Sequence, residues 1–494
     1  MRLLTVIAIT GAWGCAHAPA GRASSGPSIV VTVDSNPGQT FGGLGANMAS
    51  ETSTGWATPA TPEAVQEMSN QIWRDCHMTS ARIWMDPATY EPSYGEKHID
   101  NYITALITTN RLPAAIKAGA KDLLLAPSDV PEYMGDGTGY IGAQWIPKYA
   151  DLLADFINQF KQRSGILINW TGIANEPTSH KKVSFRLTQW APMIKALRVS
   201  LNGRGLQAVK ILAPETSQAS AEMDETDTGG ILTALSADPA AWSQLDAVGT
   251  HTYGIGANPE VRPILKNKPW WVTESGSLVE QLESPGDALQ AATVSSRFLG
   301  DVNNGVTNWQ FFIGTEYKGD YKGAVNSSNL MYYAKDPFKV VVFDKLYYLR
   351  ALSEAFDVGA VFRHCQSDQD GHMAWGDGKK PHISVAFAKN PDGSYGIGVS
   401  NFTSDTFANP KQWLAANRGD TEENEKWVRE QGDPAATYSV TIKVPELAGA
   451  VRFKAFRCNS GVHGKLLGEI VAKDGLITVP NVGPLDLVTL RSAK

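Results

Sequence analysis

Two apolar runs in this chain end on a glutamate. Ile166 to Ala174 is rich in β-branched and apolar residues and stops at Asn175-Glu176-Pro177, where the proline ends ladder donation. Pro269-Trp270-Trp271-Val272 stops in the same way at Thr273-Glu274, followed by Ser275-Gly276. A carboxylate left at the end of a buried strand is costly unless something uses it. Two carboxyl groups facing each other across a cleft are what hydrolysis of a glycosidic bond requires. One, protonated, gives its proton to the leaving oxygen, while the other attacks or stabilises the oxocarbenium-like centre. A salt-bridged glutamate at a strand end would give the same local sequence, so the elements around the pair bear on the choice.

Strand and helix patterns alternate from Phe41 onward. Strands are expected at Phe41–Ala46, Ala81–Asp86, Lys121–Ala126, Ile166–Ala174, Val209–Ala213, Leu245–His251, Pro269–Glu274 and Val306–Phe312. Between the third and fourth, Tyr149, Leu152, Leu153, Phe156 and Phe160 form one helical stripe, which Gly165 caps. Eight strands with helical or long-loop crossovers predict an α/β fold, a (β/α)8 TIM barrel spanning 36–350. In such a barrel the C-terminal strand ends share one cleft, so Asp86, Asn175, Glu176, Glu215, His251, Tyr253, Glu274 and Trp309 become candidates together. Beyond Ala351 short alternating segments and the turn Asn390-Pro-Asp-Gly393 predict an all-β side domain over 351–494, a sandwich. Residues 411–436, highly charged, read as a solvent-exposed insertion within it.

The net charge of −6 and pI near 5.9 supply no electrostatic footprint for nucleic acid. Fourteen tryptophans are compatible with flat platforms for sugar rings and equally with a well-filled core. Residues 1–20 read as an export signal: Arg2, an apolar run over Leu3–Ile9 that is too short to span a membrane, then small residues. Ala18-Pro19-Ala20 suits signal peptidase, whereas Ala12-Trp13-Gly14-Cys15 is an imperfect lipobox that would anchor the chain through Cys15. Either route makes the protein extracellular, periplasmic or surface-anchored. If the chain is exported, Cys365 and Cys458, both in the C-terminal region, could pair, and Cys76 would then be a buried free thiol. No Cys/His spacing suggests a metal site and no cofactor is expected; the chain is expected to be a monomer.

Asn175-Glu176-Pro177, His251-Thr252-Tyr253 and Thr273-Glu274, with Arg82 on the second barrel strand and Trp309 on the eighth, resemble the clan A retaining glycoside hydrolases. Within that clan, Gln39-Thr40-Phe41-Gly42-Gly43-Leu44-Gly45, the exit Tyr347–Ser353 with Val358–Val361, and Pro484–Leu490 are most similar to glycoside hydrolase family 30. The resemblance runs from about residue 29 to 494. It implies that residues 29–35 form an N-terminal strand of the β side domain, and that Glu176 is the general acid/base and Glu274 the nucleophile. It also implies that Asn175 binds the sugar 2-hydroxyl, Tyr253 holds the nucleophile and Arg82 lies beneath it as a charge partner. His251 would contact substrate or be a satisfied core histidine, and Trp309 would be a sugar platform or a core residue, with Trp84 and Tyr133 as further aromatic candidates. The expected activity is retaining hydrolysis of β-linked glycans or oligosaccharides. The alternatives are a family 39-like or family 5-like clan A enzyme and a non-catalytic carbohydrate-binding protein on the same fold.

Overall fold

Eight parallel strands close into a barrel in the order in which the chain makes them, and a ten-stranded sheet packs beside it. The computed structural model describes residues 27–48, 60–177, 183–253, 256–276, 281–282, 287–320, 324–325, 329–336, 338–368, 383–417, 419–429 and 434–493. The expected export signal, with Cys15, lies outside the described residues. Among the described residues no helix is long and apolar enough to cross a membrane.

After the N-terminal strand β1 (Ser28–Val33), the barrel strands are β2 (Gly43–Asn47), β3 (Ser80–Met85), β4 (Asp122–Pro127), β5 (Trp170–Thr171), β6 (Lys210–Thr216), β7 (Ala247–His251), β8 (Trp270–Ser275) and β9 (Asn308–Phe311). Strand β9 pairs with both β8 and β2, which closes the ring. Leu124, Trp170, Leu212, Ala247 and Trp271, one from each of five neighbouring strands, form a separate apolar cluster that plugs the barrel interior. Trp170 and Trp271 meet there with ring centroids 4.5 Å apart. That plug makes a floor, and Asn175, Glu215 and Glu274 lie farther along the segments that carry Trp170, Leu212 and Trp271.

The fourth barrel strand is shorter than its sequence suggests. Only Trp170 and Thr171 enter the ladder, and Ile166 and Leu167 are half-buried where the chain leaves helix α1 (Ile146–Ser164). Past Thr171 the backbone departs from strand geometry, although the amides of Gly172 and Asn175 still bond to Leu125 and Pro127 of β4. Helix α1 itself buries Tyr149, Leu152, Leu153, Phe156 and Phe160 and stops at Gly165 in the left-handed region, as its pattern predicts.

The side domain is one hydrogen-bonded sheet that folds over its own core. Its further strands are β10 (Val361–Arg363), β11 (Cys365–Ser367), β12 (Ile383–Lys389), β13 (Tyr395–Asn401), β14 (Tyr438–Lys443), β15 (Ala450–Asn459), β16 (Val462–Lys473), β17 (Leu476–Val482) and β18 (Leu487–Ser492). The order is β10-β12-β13-β18-β15-β16-β17-β14-β1-β11. Strand β1 runs parallel to β14 and antiparallel to β11, so the N-terminus is woven into the C-terminal sheet. Ile29, Val31 and Val33 face a core shared with Val385, Phe387, Ile397, Val440, Ile442, Phe453 and Leu490.

Helix α3 is the seam between the two units; α2 (Leu187–Gly203) lies on the barrel and α3 (Ala288–Asn303) precedes β9. On one side α3 touches the sheet: Ser295 and Ser400 share a hydrogen bond of 2.8 Å, and Ser296 bonds to Ser384. Gly398 of β13 faces Leu299 so closely that a Cβ would meet its Cδ2 at 2.7 Å. On the other side α3 carries buried charges toward the barrel.

The charged stretch around 411–436 carries its outward charges, such as Lys411 and Glu422, on short helices at Asp405–Ala408, Pro410–Asn417 and Glu422–Arg429 that bury Leu414 and Val428. One expectation about the side domain is corrected. No disulfide joins Cys365 to Cys458. Both are buried thiols, as is Cys76. Cys365 points into the core of the sheet, and Cys458 packs with the helix layer beside the Tyr347 carbonyl.

If β1 is part of the side-domain core, truncating it should cost as much as truncating any core strand. Ile29→Ala is expected to lose about 2–5 kcal/mol of stability by urea or guanidinium unfolding. A loss under about 0.5 kcal/mol would mean that the strand is peripheral.

Candidate active site

A single guanidinium stands on the apolar floor. Arg82 of β3 has no exposed surface. Its Nε and Nη2 reach Glu215 Oε1 at 3.0 and 2.9 Å, Nη1 donates to Asn47 Oδ1 at 2.9 Å and to Glu274, and Nη2 donates to Asn175 Oδ1 at 2.8 Å. Burial works against the charge, but the Glu215 and Glu274 carboxylates outweigh it and hold Arg82 above its ordinary pKa. One cation therefore ties together residues from β2, β3, the end of β5, β6 and β8. Asn47 extends the tie, donating to the carbonyls of Thr273 and Phe311.

Two register shifts aim the carboxylates inward. In β6, Pro214 pairs with Gly249 and Thr216 with Thr250, so Glu215 is an extra residue, with φ of 58°. In β8, Val272 pairs with Thr250 and Glu274 with His251, so Thr273 is extra. Such bulges re-aim a side chain at the price of local strain. Trp271 already faces the barrel interior, and regular alternation would turn Glu274 away from it; the extra residue turns Glu274 back. Glu176 also sits at positive φ, 45°, with its amide donating to the Glu215 carbonyl at 3.0 Å.

Above Arg82 the two glutamates meet. Glu274 is nearly buried, its side chain 5% exposed, with Oε1 on Arg82 and Oε2 accepting from Tyr253 at 2.9 Å. Glu176 is 31% exposed and so reaches the solvent side of the cleft. His251, fully buried, places Nδ1 2.8 Å from Glu176 Oε1 and 3.5 Å from Glu274 Oε2. Its Nε2 is buried with no partner among the described residues, which assigns the ring proton to Nδ1, where it has an acceptor. Burial, then the Glu274 charge and hydrogen bond, push the Tyr253 hydroxyl well above its ordinary value. Tyr253 therefore remains a donor to Glu274.

Glu176, His251 and Glu274 each offer one atom within 4.8 Å of the others. That grouping would also suit a cation, but both Glu274 oxygens are already engaged, by Arg82 and by Tyr253. Charge balance favours the same conclusion: Arg82 answers two fully or nearly buried carboxylates, Glu215 and Glu274.

Arg82, Asn175, Glu176, His251, Tyr253 and Glu274 thus converge. Trp309 does not. It is fully buried on the outer side of β9, edge-on to Phe298, with Nε1 donating to Asp301 of α3 at 2.9 Å. Gln310 is the inward neighbour, bonding to Ser80 of β3 across the barrel. A sugar platform at Trp309 is therefore corrected; the phase of alternation in β9 puts the indole in the helix layer. The half-buried aromatic at the cleft is Trp84, two residues beyond Arg82 on the same face of β3, with its ring 5.6 Å from the guanidinium. Glu215, adjacent in sequence to no motif, was legible only as a carboxylate at a strand end.

Residues 123–342, which include both Glu176 and Glu274, match the sequence model of glycosyl hydrolase family 59. No curated protein matches the sequence. Among solved structures the chain is similar to the catalytic domain of GH30 xylanase C from Talaromyces cellulolyticus, with TM-score 0.67, 15% identity, and 94% of this chain and 100% of that chain covered. It is also similar to the family 30 subfamily 8 xylanase Xyn30A from Clostridium acetobutylicum, with TM-score 0.62, 14% identity and coverage of 94% and 100%. A glucosidase from Croceicoccus marinus aligns with TM-score 0.56, 14% identity and coverage of 94% and 99%. At these identities the likeness is one of fold. With the family match, it makes the chain a glycosidase of clan A type.

Gly172 tests how tightly the Arg82 network is built, because a Cβ there would overlap Glu215 Oε2. Gly172→Ala should displace Glu215 from Arg82 and lower kcat/KM on the order of 10²-fold, the scale of an ångström-sized misplacement. Circular dichroism should remain that of the folded protein. Unchanged kcat/KM would show that the network tolerates movement.

Proposed function

We propose that the protein hydrolyses β-linked glycans or oligosaccharides by double displacement with retention, Glu274 being the nucleophile and Glu176 the general acid/base. The observation that carries this reading is the approach of the two carboxylates to within 4.8 Å. Retaining pairs stand about 5–5.5 Å apart, whereas inverting pairs need about 6.5–9.5 Å to admit a water between them.

The roles follow from what each glutamate touches. Glu274 is fixed in place by the Arg82 cation on one oxygen and the Tyr253 hydroxyl on the other. Its carboxylate attacks the anomeric carbon as the bond to the leaving oxygen breaks, and Glu176 gives that oxygen its proton. A covalent glycosyl-enzyme results. Glu176, now a carboxylate and solvent-facing, then takes a proton from water as the water oxygen attacks the same carbon, and Glu274 leaves as carboxylate. His251 Nδ1–H steadies Glu176 in its ionised state. Asn175, its amide oxygen tied to Arg82, turns its NH2 away from Arg82, toward the 2-hydroxyl of a bound sugar. Glu215 keeps Arg82 paired while Glu274 is covalently capped and uncharged.

Family 30 is the assignment we favour within the clan. Its support is the β side domain with the N-terminal strand built in, together with the near-complete coverage of family 30 structures. The match to family 59 covers only part of the barrel and makes that family the second reading. We read the chain as exported, on the strength of the Met1–Ala20 pattern.

A panel of polysaccharides and aryl β-glycosides will find a substrate, and two variants then test the roles. Glu274→Ala should lose nearly all turnover on every substrate. Glu176→Ala should keep its first step on glycosides with an activated aryl leaving group and should be accelerated by added azide, giving a glycosyl azide of retained configuration. Wild-type activity in either variant would refute the assignment.

A further inference from the structure

The cleft residues His251 and Tyr253 flank Thr252, whose side chain points the other way, out of the barrel toward α3. There it meets a buried acid. Asp301 is 1% exposed, and its two oxygens receive three donors: Thr252 Oγ1 and Trp309 Nε1 on Oδ2, both at 2.9 Å, and the Ala257 amide on Oδ1 at 2.8 Å. One turn earlier on the same helix, Arg297, also buried, donates to the carbonyl of Gly276, two residues after Glu274. The segments leaving β7 and β8 are also sewn to each other. Ser275 Oγ donates to the Thr252 carbonyl at 3.0 Å, and the Thr252 amide to the Glu274 carbonyl at 3.0 Å.

We propose that Asp301 and Arg297 are positioning residues for the reaction: from outside the barrel they clamp the two segments that present His251, Tyr253 and Glu274 to the substrate. The proposal rests on the double-displacement reading above.

Chemistry argues against packing as their only role. Taking a carboxylate and a guanidinium out of water between a helix and a barrel is costly, and well-packed apolar side chains would fill the space more cheaply. What a carboxylate adds is two oxygens at fixed angles, able to gather a side-chain hydroxyl, an indole and a backbone amide at one point. Burial pushes the Asp301 carboxyl up to about 6, so above that pH its ionised form receives all three donors. The helix that carries the clamp is itself held by the side domain, through Ser295, Ser296 and Leu299. The sheet thereby bears on the geometry of the cleft without entering it. The same arrangement accounts for Trp309, whose indole is one of the three donors.

Two variants and a covalent probe test this. Asp301→Asn cannot satisfy all three donors, and Thr252→Val removes one hydroxyl while keeping the side chain's shape. Each is compared with wild type for kcat and KM on an activated aryl β-glycoside, and for the rate at which a 2-deoxy-2-fluoro glycoside labels Glu274, read by peptide mass spectrometry. Assays are run well below each variant's Tm. We expect kcat and the labelling rate to fall together, about 10- to 100-fold in Asp301→Asn and less in Thr252→Val, with KM within about twofold. A lower Tm with unchanged kcat and labelling in Thr252→Val, and in Asp301→Asn where it folds, would make the pair structural only and overturn the proposal. A wild-type protein that is never labelled would overturn the double-displacement reading and this proposal with it. A labelled wild type whose variants label equally fast would overturn this proposal alone.

Discussion

The structure depends on one buried cation. Arg82 cannot be left unpaired inside a barrel, and its planar fork dictates where its partners must be. Asn47, Asn175, Glu215 and Glu274 come to it from four other strand ends. The apolar plug of Trp170, Trp271, Leu124, Leu212 and Ala247 closes the space below, so the guanidinium can turn only upward and sideways. Two carboxylates answer it, yet only Glu274 borders the cleft. Glu215 is the permanent counter-charge, which in the double displacement we propose would leave Glu274 free to lose its own charge as it bonds to the sugar.

Meeting that constraint costs regularity. Strands β6 and β8 each take an extra residue, Glu215 and Glu176 adopt left-handed backbone, and β5 shrinks to two ladder residues. These departures lie on the half of the barrel that carries Glu176, Glu215 and Glu274. Its opposite side, β2 to β4, pairs in unbroken register. Within these barrel strands the irregularity falls where the carboxylates are aimed, and the helix layer, with the side-domain sheet behind α3, backs it.

Much of this was legible in the sequence because burial and polarity are one-dimensional signals. An apolar run that stops at Asn-Glu or Thr-Glu marks a strand end with a carboxylate, and His251 and Tyr253 were legible in the same way. The β-strand at 29–33 was equally plain. What the sequence does not carry is phase. Alternation through Val306–Phe312 fits either face, and Trp309 turned out to be the outward residue with Gln310 inward. Regular alternation through Trp270–Glu274 would even have excluded Glu274, since a bulge leaves no mark in residue types. Contacts between distant segments were hidden for a like reason. The separation of Cys365 from Cys458 depends on strand order, with four strands standing between β11 and β15, and the Asp301 clamp on a helix that no motif singled out.

Glu176 and Glu274 bring one oxygen each to within 4.8 Å, close enough for the covalent mechanism we propose. Proton NMR of the first sugar released from an aryl β-glycoside, recorded before mutarotation, distinguishes that mechanism from direct attack by water. The β-anomer is expected to appear first and then to equilibrate toward α. Initial release of the α-anomer would mean that water attacks directly, and would contradict the covalent mechanism.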